Sequence, residues 1–84
     1  MNRETLTEAL TYRNSEVEGY QINITNYTLA IAKIEADYAD DADLNGPFKA
    51  ELQQRLDAEI IQQRRAIVIR DVIADQVAQL TDQP

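Results

Sequence analysis

The sequence lacks several residue types on which common protein functions depend. Its 84 residues include no Cys and no His, which removes disulfides, thiolate metal sites and the commonest acid–base catalyst. Only two Gly and two Pro occur, so few turns are available. No apolar run is long enough for a secretory signal or a membrane span. We therefore expect a cytoplasmic, non-enzymatic protein that does not bind membranes.

Positive charge is also scarce. The chain has 8 Lys and Arg against 15 Asp and Glu, which gives a formal net charge of −7. Residues 1–43 carry nine of the acids and three of the bases, so the excess is concentrated in the first half. Because nucleic-acid phosphates and anionic lipids repel such a surface, direct nucleic-acid binding is not expected. The 44% of apolar residues is ordinary for one small folded domain, predicted over 1–84.

A heptad pattern dominates the first half of the chain. Apolar residues follow one another from Leu6 to Tyr38 at spacings that alternate between four and three, and only Arg13 interrupts them. This spacing is typical of a helix packed lengthwise against another helix. The predicted seam of helix 1 consists of Leu6, Leu10, Arg13, Val17, Tyr20, Ile24, Tyr27, Ile31, Ile34 and Tyr38.

Two residues are candidates for the N-terminal cap of helix 1. Thr5 begins a capping box, which predicts a helix over about 5–38, and Asn2 is an alternative cap one turn earlier. Weak helix formers lie between 14 and 19, among them Gly19, so a break in this region is left open.

The second half of the chain predicts a matching helix. An acidic turn over 39–46 precedes Pro47, which suits a first helical turn, and helix 2 follows over about 47–80. The fold class is therefore all-α, a long antiparallel two-helix hairpin that resembles a coiled coil. Folding at about residue 43 would place Tyr38 near Phe48 and Leu6 near Leu80. The predicted face of helix 2 comprises Phe48, Leu52, Leu56, Ile60, Ile67, Ile69, Ile73, Val77 and Leu80.

A second apolar stripe on helix 2 predicts assembly. Ile61, Val68 and Val72 lie nearly opposite the predicted seam, where the hairpin itself cannot cover them. Because a hairpin of this size has a thin core, we expect a homo-oligomer, most simply a dimer that forms a four-helix bundle.

The turn carries the strongest metal-binding pattern. Asp41-Ala42-Asp43-Leu44-Asn45-Gly46 resembles the opening of an EF-hand calcium loop, and the resemblance implies Asp41, Asp43 and Asn45 as calcium ligands. The bidentate Glu that closes such a loop at its twelfth position is replaced by Leu52. The alternative interpretation is an acidic, well-capped turn without a cofactor.

Arg13 is the one charge in the seam of helix 1. A guanidinium in a seam is costly unless it is paired, and the predicted register brings it near Asp71 and Asp75. We therefore predict a structural ion pair between Arg13 and one of these carboxylates, which would fix the register of the two helices.

Three functions are compatible with these patterns. A structural or adaptor module that binds itself and another, unidentified protein accounts for most features. An acidic decoy that occupies the nucleic-acid-binding site of an enzyme would account for the charge, and a weak calcium-binding helix–loop–helix module would account for the turn. An exposed apolar groove would favour the adaptor, whereas regular rows of carboxylates would favour the decoy.

Overall fold

The computed structural model describes residues 2–81 and shows two long helices joined by a short turn. Helix α1 covers Arg3–Asp37, a single π-helical turn covers Leu44–Phe48, and helix α2 covers Lys49–Thr81. The helices pack side by side as a hairpin, so the predicted all-α fold is confirmed. The outermost positions of the predicted 1–84 domain, residue 1 and residues 82–84, lie outside the described residues.

Helix α1 begins earlier than the capping box predicts, and it has no break. The side chain of Asn2 accepts a hydrogen bond of 2.8 Å from the backbone N–H of Thr5, so Asn2 is the cap. The helix then continues through 14–19, including Gly19, to Asp37. It ends where the N–H of Tyr38 donates to the Ile34 carbonyl at 2.8 Å, one residue before the predicted end.

The predicted seam of α1 is confirmed along most of its length. Leu6 and Ile34, near its two ends, are buried, and the seam residues between them are half-buried. Tyr38 is the exception, because the helix ends before it and 45% of its surface stays exposed. The unbroken alternation of four and three residues therefore identified the packed face of α1.

The seam of α2 differs from the predicted face at its start and in its central part. Phe48 is 40% exposed, and Ile60 and Ile69 are 38% and 47% exposed. The buried and half-buried positions include several polar residues. They keep the alternating spacing of four and three without interruption. The observed seam of α2 is Leu52, Leu56, Glu59, Gln63, Ala66, Arg70, Ile73, Val77 and Leu80.

Polar contacts between the helices define the register. Gln63 Nε2 donates to the Val17 carbonyl at 3.3 Å and to Gln21 Oε1 at 3.0 Å. Asn23 Nδ2 donates to Glu59 Oε2 at 3.4 Å. In an antiparallel pair, the residue numbers of two facing residues add to a roughly constant sum that describes the register. This sum is 80 to 84 for the observed contacts. It is 86 for the predicted pairs of Tyr38 with Phe48 and Leu6 with Leu80. The helices are therefore offset from the predicted register by about one turn on average.

The resulting core is thin and the molecule is a rod. No large side chain of the described residues is completely enclosed, and its dimensions are 65 × 16 × 16 Å. The radius of gyration is 18.6 Å, whereas a globular domain of this length would have about 12 Å. Neither α1 nor α2, as far as the structure describes them, combines the length and apolar character of a membrane-crossing helix. The buried apolar residues are Leu6, Ile34, Leu52, Leu56 and Ala66.

Candidate functional site

The surface of α2 that faces away from α1 carries the predicted interface residues. Ile61, Val68 and Val72 are 47%, 60% and 53% exposed, although each is a branched apolar side chain. Singly exposed apolar residues are common on proteins, but three within twelve residues on one helix surface form a patch. We call this patch, together with its charged neighbours, the outer face of α2; it comprises Ile61, Arg64, Arg65, Val68, Asp71, Val72 and Asp75.

The heptad spacing of α2 explains why this face is left uncovered. Relative to the seam, Ile61, Val68 and Asp75 fall in one row on the opposite side of the helix, seven residues apart. Arg64 and Asp71 fall in a second row on one flank of this central row. Arg65 and Val72 form a third row on the other flank. The outer face therefore has an apolar centre with a cation and an anion seven residues apart on one side.

Most charges of the outer face lack an intramolecular partner. Ile61, Arg64, Arg65 and Val68 line an open depression in the surface. Within residues 2–81, neither Arg64 nor Arg65 forms an ion pair, and Asp75 is likewise unpaired. Asp71 accepts hydrogen bonds from Arg70 at 3.0 and 3.1 Å, both through Oδ1. Two arginines and one carboxylate next to exposed apolar residues are therefore available to another molecule.

The structure exposes further apolar residues that the sequence interpretation did not assign to a surface. Ile22 and Leu29, seven residues apart on α1, are 60% and 61% exposed, and Tyr12 is 65% exposed. Ile22 and Leu29 lie on the side of α1 that faces away from α2. Their spacing and their position outside the α1 seam could have revealed them in the sequence.

The predicted ion pair of Arg13 with Asp71 or Asp75 does not form in the described residues. Arg13 instead bonds to Glu16 on its own helix at 3.3 Å, and its guanidinium carbon lies 5.4 Å from the centre of the Tyr12 ring. The prediction failed because Asp71 belongs to the outer face of α2 and Asp75 lies a turn beyond the level of Arg13. It also overlooked the carboxylate three residues away on the same helix face.

The observed register places two arginines in the same part of the seam. Residues 67–71 of α2 lie at the level of Arg13, and among them Arg70 occupies the seam. Both side chains are partly covered, with 37% and 31% of their surface exposed. Each is neutralised by an acid of its own helix, Glu16 for Arg13 and Asp71 for Arg70. This level of the seam therefore accommodates two cations without a cross-hairpin ion pair.

The acidic turn uses its predicted calcium ligands mainly to organise the backbone. Asp41 Oδ1 accepts hydrogen bonds from the N–H groups of Asp43 at 3.0 Å and Leu44 at 2.9 Å. Asn45 Nδ2 donates to the Ala39 carbonyl at 3.1 Å, while its Oδ1 is buried without a partner. The side chain of Asp43 makes no capping hydrogen bond. Asp41 and Asn45 thus cap and tie the turn.

This arrangement leaves a calcium loop incomplete, although oxygens of Asp43 and Asn45 have no hydrogen-bond donor within the described part of the chain. One carboxylate oxygen of Asp41 is already occupied by two donors, and the position that should close the loop, Leu52, is a buried apolar residue of the seam. Among residues 2–81 no three acidic side chains come together in a metal-binding group.

Comparisons with protein-family models, with curated protein sequences and with solved structures find no match for this chain.

Proposed function

We propose that the protein is a non-enzymatic structural or adaptor module that associates with itself, and with another protein, through the outer surfaces of its helical hairpin. The observation that carries this proposal is the exposed apolar patch of Ile61, Val68 and Val72 on a hairpin with a thin core. Each of these side chains would contribute about 1.5–3 kcal/mol if a neighbouring molecule buried it. The simplest assembly is a dimer of hairpins that contains four helices.

The second exposed apolar pair supports the adaptor part of the proposal. Ile22 and Leu29 face away from α2, so a dimer formed through the outer face of α2 leaves them accessible. A rod with apolar surfaces on opposite sides can hold its own copy on one side and a different protein on the other. The exposed apolar surface on both helices favours this function over an acidic decoy.

Concentration-dependent unfolding tests the self-association. If two chains unfold from a dimer, the midpoint of thermal unfolding rises with protein concentration, because mass action favours the associated state. We expect this dependence in the unmodified chain and in Ile22→Asp, which places a charge on the opposite side of the rod. We expect Val68→Asp to lose it. An unmodified chain whose midpoint is constant from low to high micromolar concentration would contradict the proposed self-association.

A further inference from the structure

The charges on the outer face of α2 are arranged so that the face complements itself. Arg64 and Asp71 lie in the same flanking row, seven residues apart and on either side of the level of Val68. When two identical helices pack antiparallel about a two-fold axis, each flanking row meets the same row of its partner, with the residue order reversed. An axis midway between Arg64 and Asp71 therefore sets each arginine opposite the aspartate of the other copy.

We propose that α2 pairs antiparallel with α2 of a second copy about a two-fold axis near Ile67 and Val68, with Arg64 of each copy opposite Asp71 of the other. This inference rests on the self-association proposed above and specifies its geometry. The two α2 helices form the centre of the assembly, and the two α1 helices lie outside.

The same axis determines which residues of the apolar patch meet, and it sets Ile61 opposite Asp75 of the second copy. Val68 lies next to the axis and meets its own copy, while Val72 lies opposite the aliphatic stem of Arg65 from the second copy. Asp75 lies one turn beyond Asp71 and adds a second carboxylate within reach of the partner's Arg64. Asp71 can accept this arginine because its hydrogen bonds to Arg70 use only Oδ1.

A parallel pairing of the same faces is disfavoured by the same residues. In a parallel two-fold pair each flanking row meets the other flanking row of the second copy, so Arg64 lies opposite Arg65 and Asp71 lies opposite Val72. Only the central row meets its own copy, which sets Asp75 opposite Asp75. Like charges directly opposite one another are unfavourable, and they exclude wrong partners. The repulsion would occur between the arginines and between the two Asp75 side chains, and Asp71 would have no cation opposite it. The antiparallel pairing instead gives Arg64 and Asp71 of both copies a partner of opposite charge.

Charge-swap variants test the pairing. We expect Arg64→Asp to weaken dimerisation at least tenfold, because two acids then face each other at both ends, and Arg64→Asp/Asp71→Arg to restore it. The matched control, Arg65→Asp/Asp71→Arg, has the same composition and net charge but places the new acid in the other row, and it should not restore the dimer. Sedimentation equilibrium measures all four proteins, and circular dichroism confirms that each is helical.

A distance measurement tests the orientation without altering the face. Because the chain has no Cys, Ala50→Cys provides a single site for a spin label, and residue 50 lies beyond the overlap of the two α2 helices. The proposed axis separates the two labels by about 50 Å at 1.5 Å per residue, whereas a parallel pair brings them within about 20 Å. The long distance together with rescue by the first swap supports the proposal.

The other outcomes are equally decisive. A dimer with a short distance, or one that is indifferent to Arg64→Asp, would overturn this pairing and leave the proposed self-association intact. A folded monomer at every concentration would overturn both.

Discussion

Gly19 is the weakest helix former in the interior of α1, yet nothing in the structure requires a glycine there. Its φ is not positive, and an added Cβ would have no neighbour within 4 Å. We expect Gly19→Ala to raise the free energy of unfolding by about 0.5–1 kcal/mol, because alanine loses less backbone entropy on entering a helix. Urea denaturation measures the change. A lower stability would show that residue 19 is covered by a second molecule.

Arg13 is a seam residue whose partner lies on its own helix. Since the pair with Glu16 is partly exposed, it contributes at most about 1 kcal/mol, and a leucine in its place would extend the apolar seam. We expect Arg13→Leu to be at least as stable as the unmodified chain in urea denaturation. The matched control is Arg55→Leu, which removes the ion pair with Glu51 from an exposed position and should give no gain.

A different result at Arg13 would have a definite meaning. A loss of more than about 1 kcal/mol in Arg13→Leu would indicate a cross-hairpin partner, contrary to the observed contacts. An unchanged stability with loss of binding to another protein would place Arg13 in a functional surface.

The turn between the helices is stabilised by the side chain of Asp41. Asp41 caps two backbone N–H groups, whereas the Asp43 side chain caps none. We expect Asp41→Ala to lower the free energy of unfolding by about 1 kcal/mol, and Asp43→Ala, which removes the same charge, to have a much smaller effect. Urea denaturation of the two variants side by side decides it. Equal losses would show that the charge of the turn, and not the cap, determines its stability.

Calcium binding by the same turn is a separate prediction. Asp41 already serves as a cap, and the loop lacks its closing Glu, so we expect a dissociation constant no tighter than the millimolar range. Isothermal titration calorimetry with calcium chloride tests this expectation. Micromolar binding that is lost in Asp43→Ala would show that the turn rearranges into a complete calcium loop.

The two helices differ in how much of their packing the sequence could reveal. In α1 the seam is apolar at every position except Arg13, so apolar spacing alone identified it. In α2 apolar residues occur on several sides of the helix, and the seam continues through Glu59, Gln63 and Arg70. A prediction that assigns the seam to the most apolar side of α2 therefore includes Ile60 and Ile69, and both are exposed. Extending the alternating spacing through polar residues would have predicted the observed seam.

The register and the site could be predicted only in part, for related reasons. Register depends on the hydrogen bonds of Gln63 with Val17 and Gln21, which no apolar pattern encodes. The stripe of Ile61, Val68 and Val72 was identifiable because it lies far from either choice of seam. The charges that flank this stripe indicate a pairing geometry only once the seam of α2 is known, because the seam determines on which side of the stripe each charge lies.

At the scale of the whole molecule, the rod explains why a second chain is needed. Among residues 2–81, ten large apolar side chains are exposed and five apolar residues are buried. Chains of this size with so small a core rarely reach useful stability alone. Pairing through α2 would cover the central part of the exposed surface, and it would leave Ile22 and Leu29 for another protein.

The molar mass of the unmodified chain in solution tests this account most directly. Light scattering coupled to size-exclusion chromatography at micromolar concentration should give twice the 9.6 kDa of one chain. Val68→Asp should give a helical species of single-chain mass. A mass of 9.6 kDa for the folded, unmodified chain would contradict the account, and a dimer that persists in Val68→Asp would show that a different face of the hairpin associates.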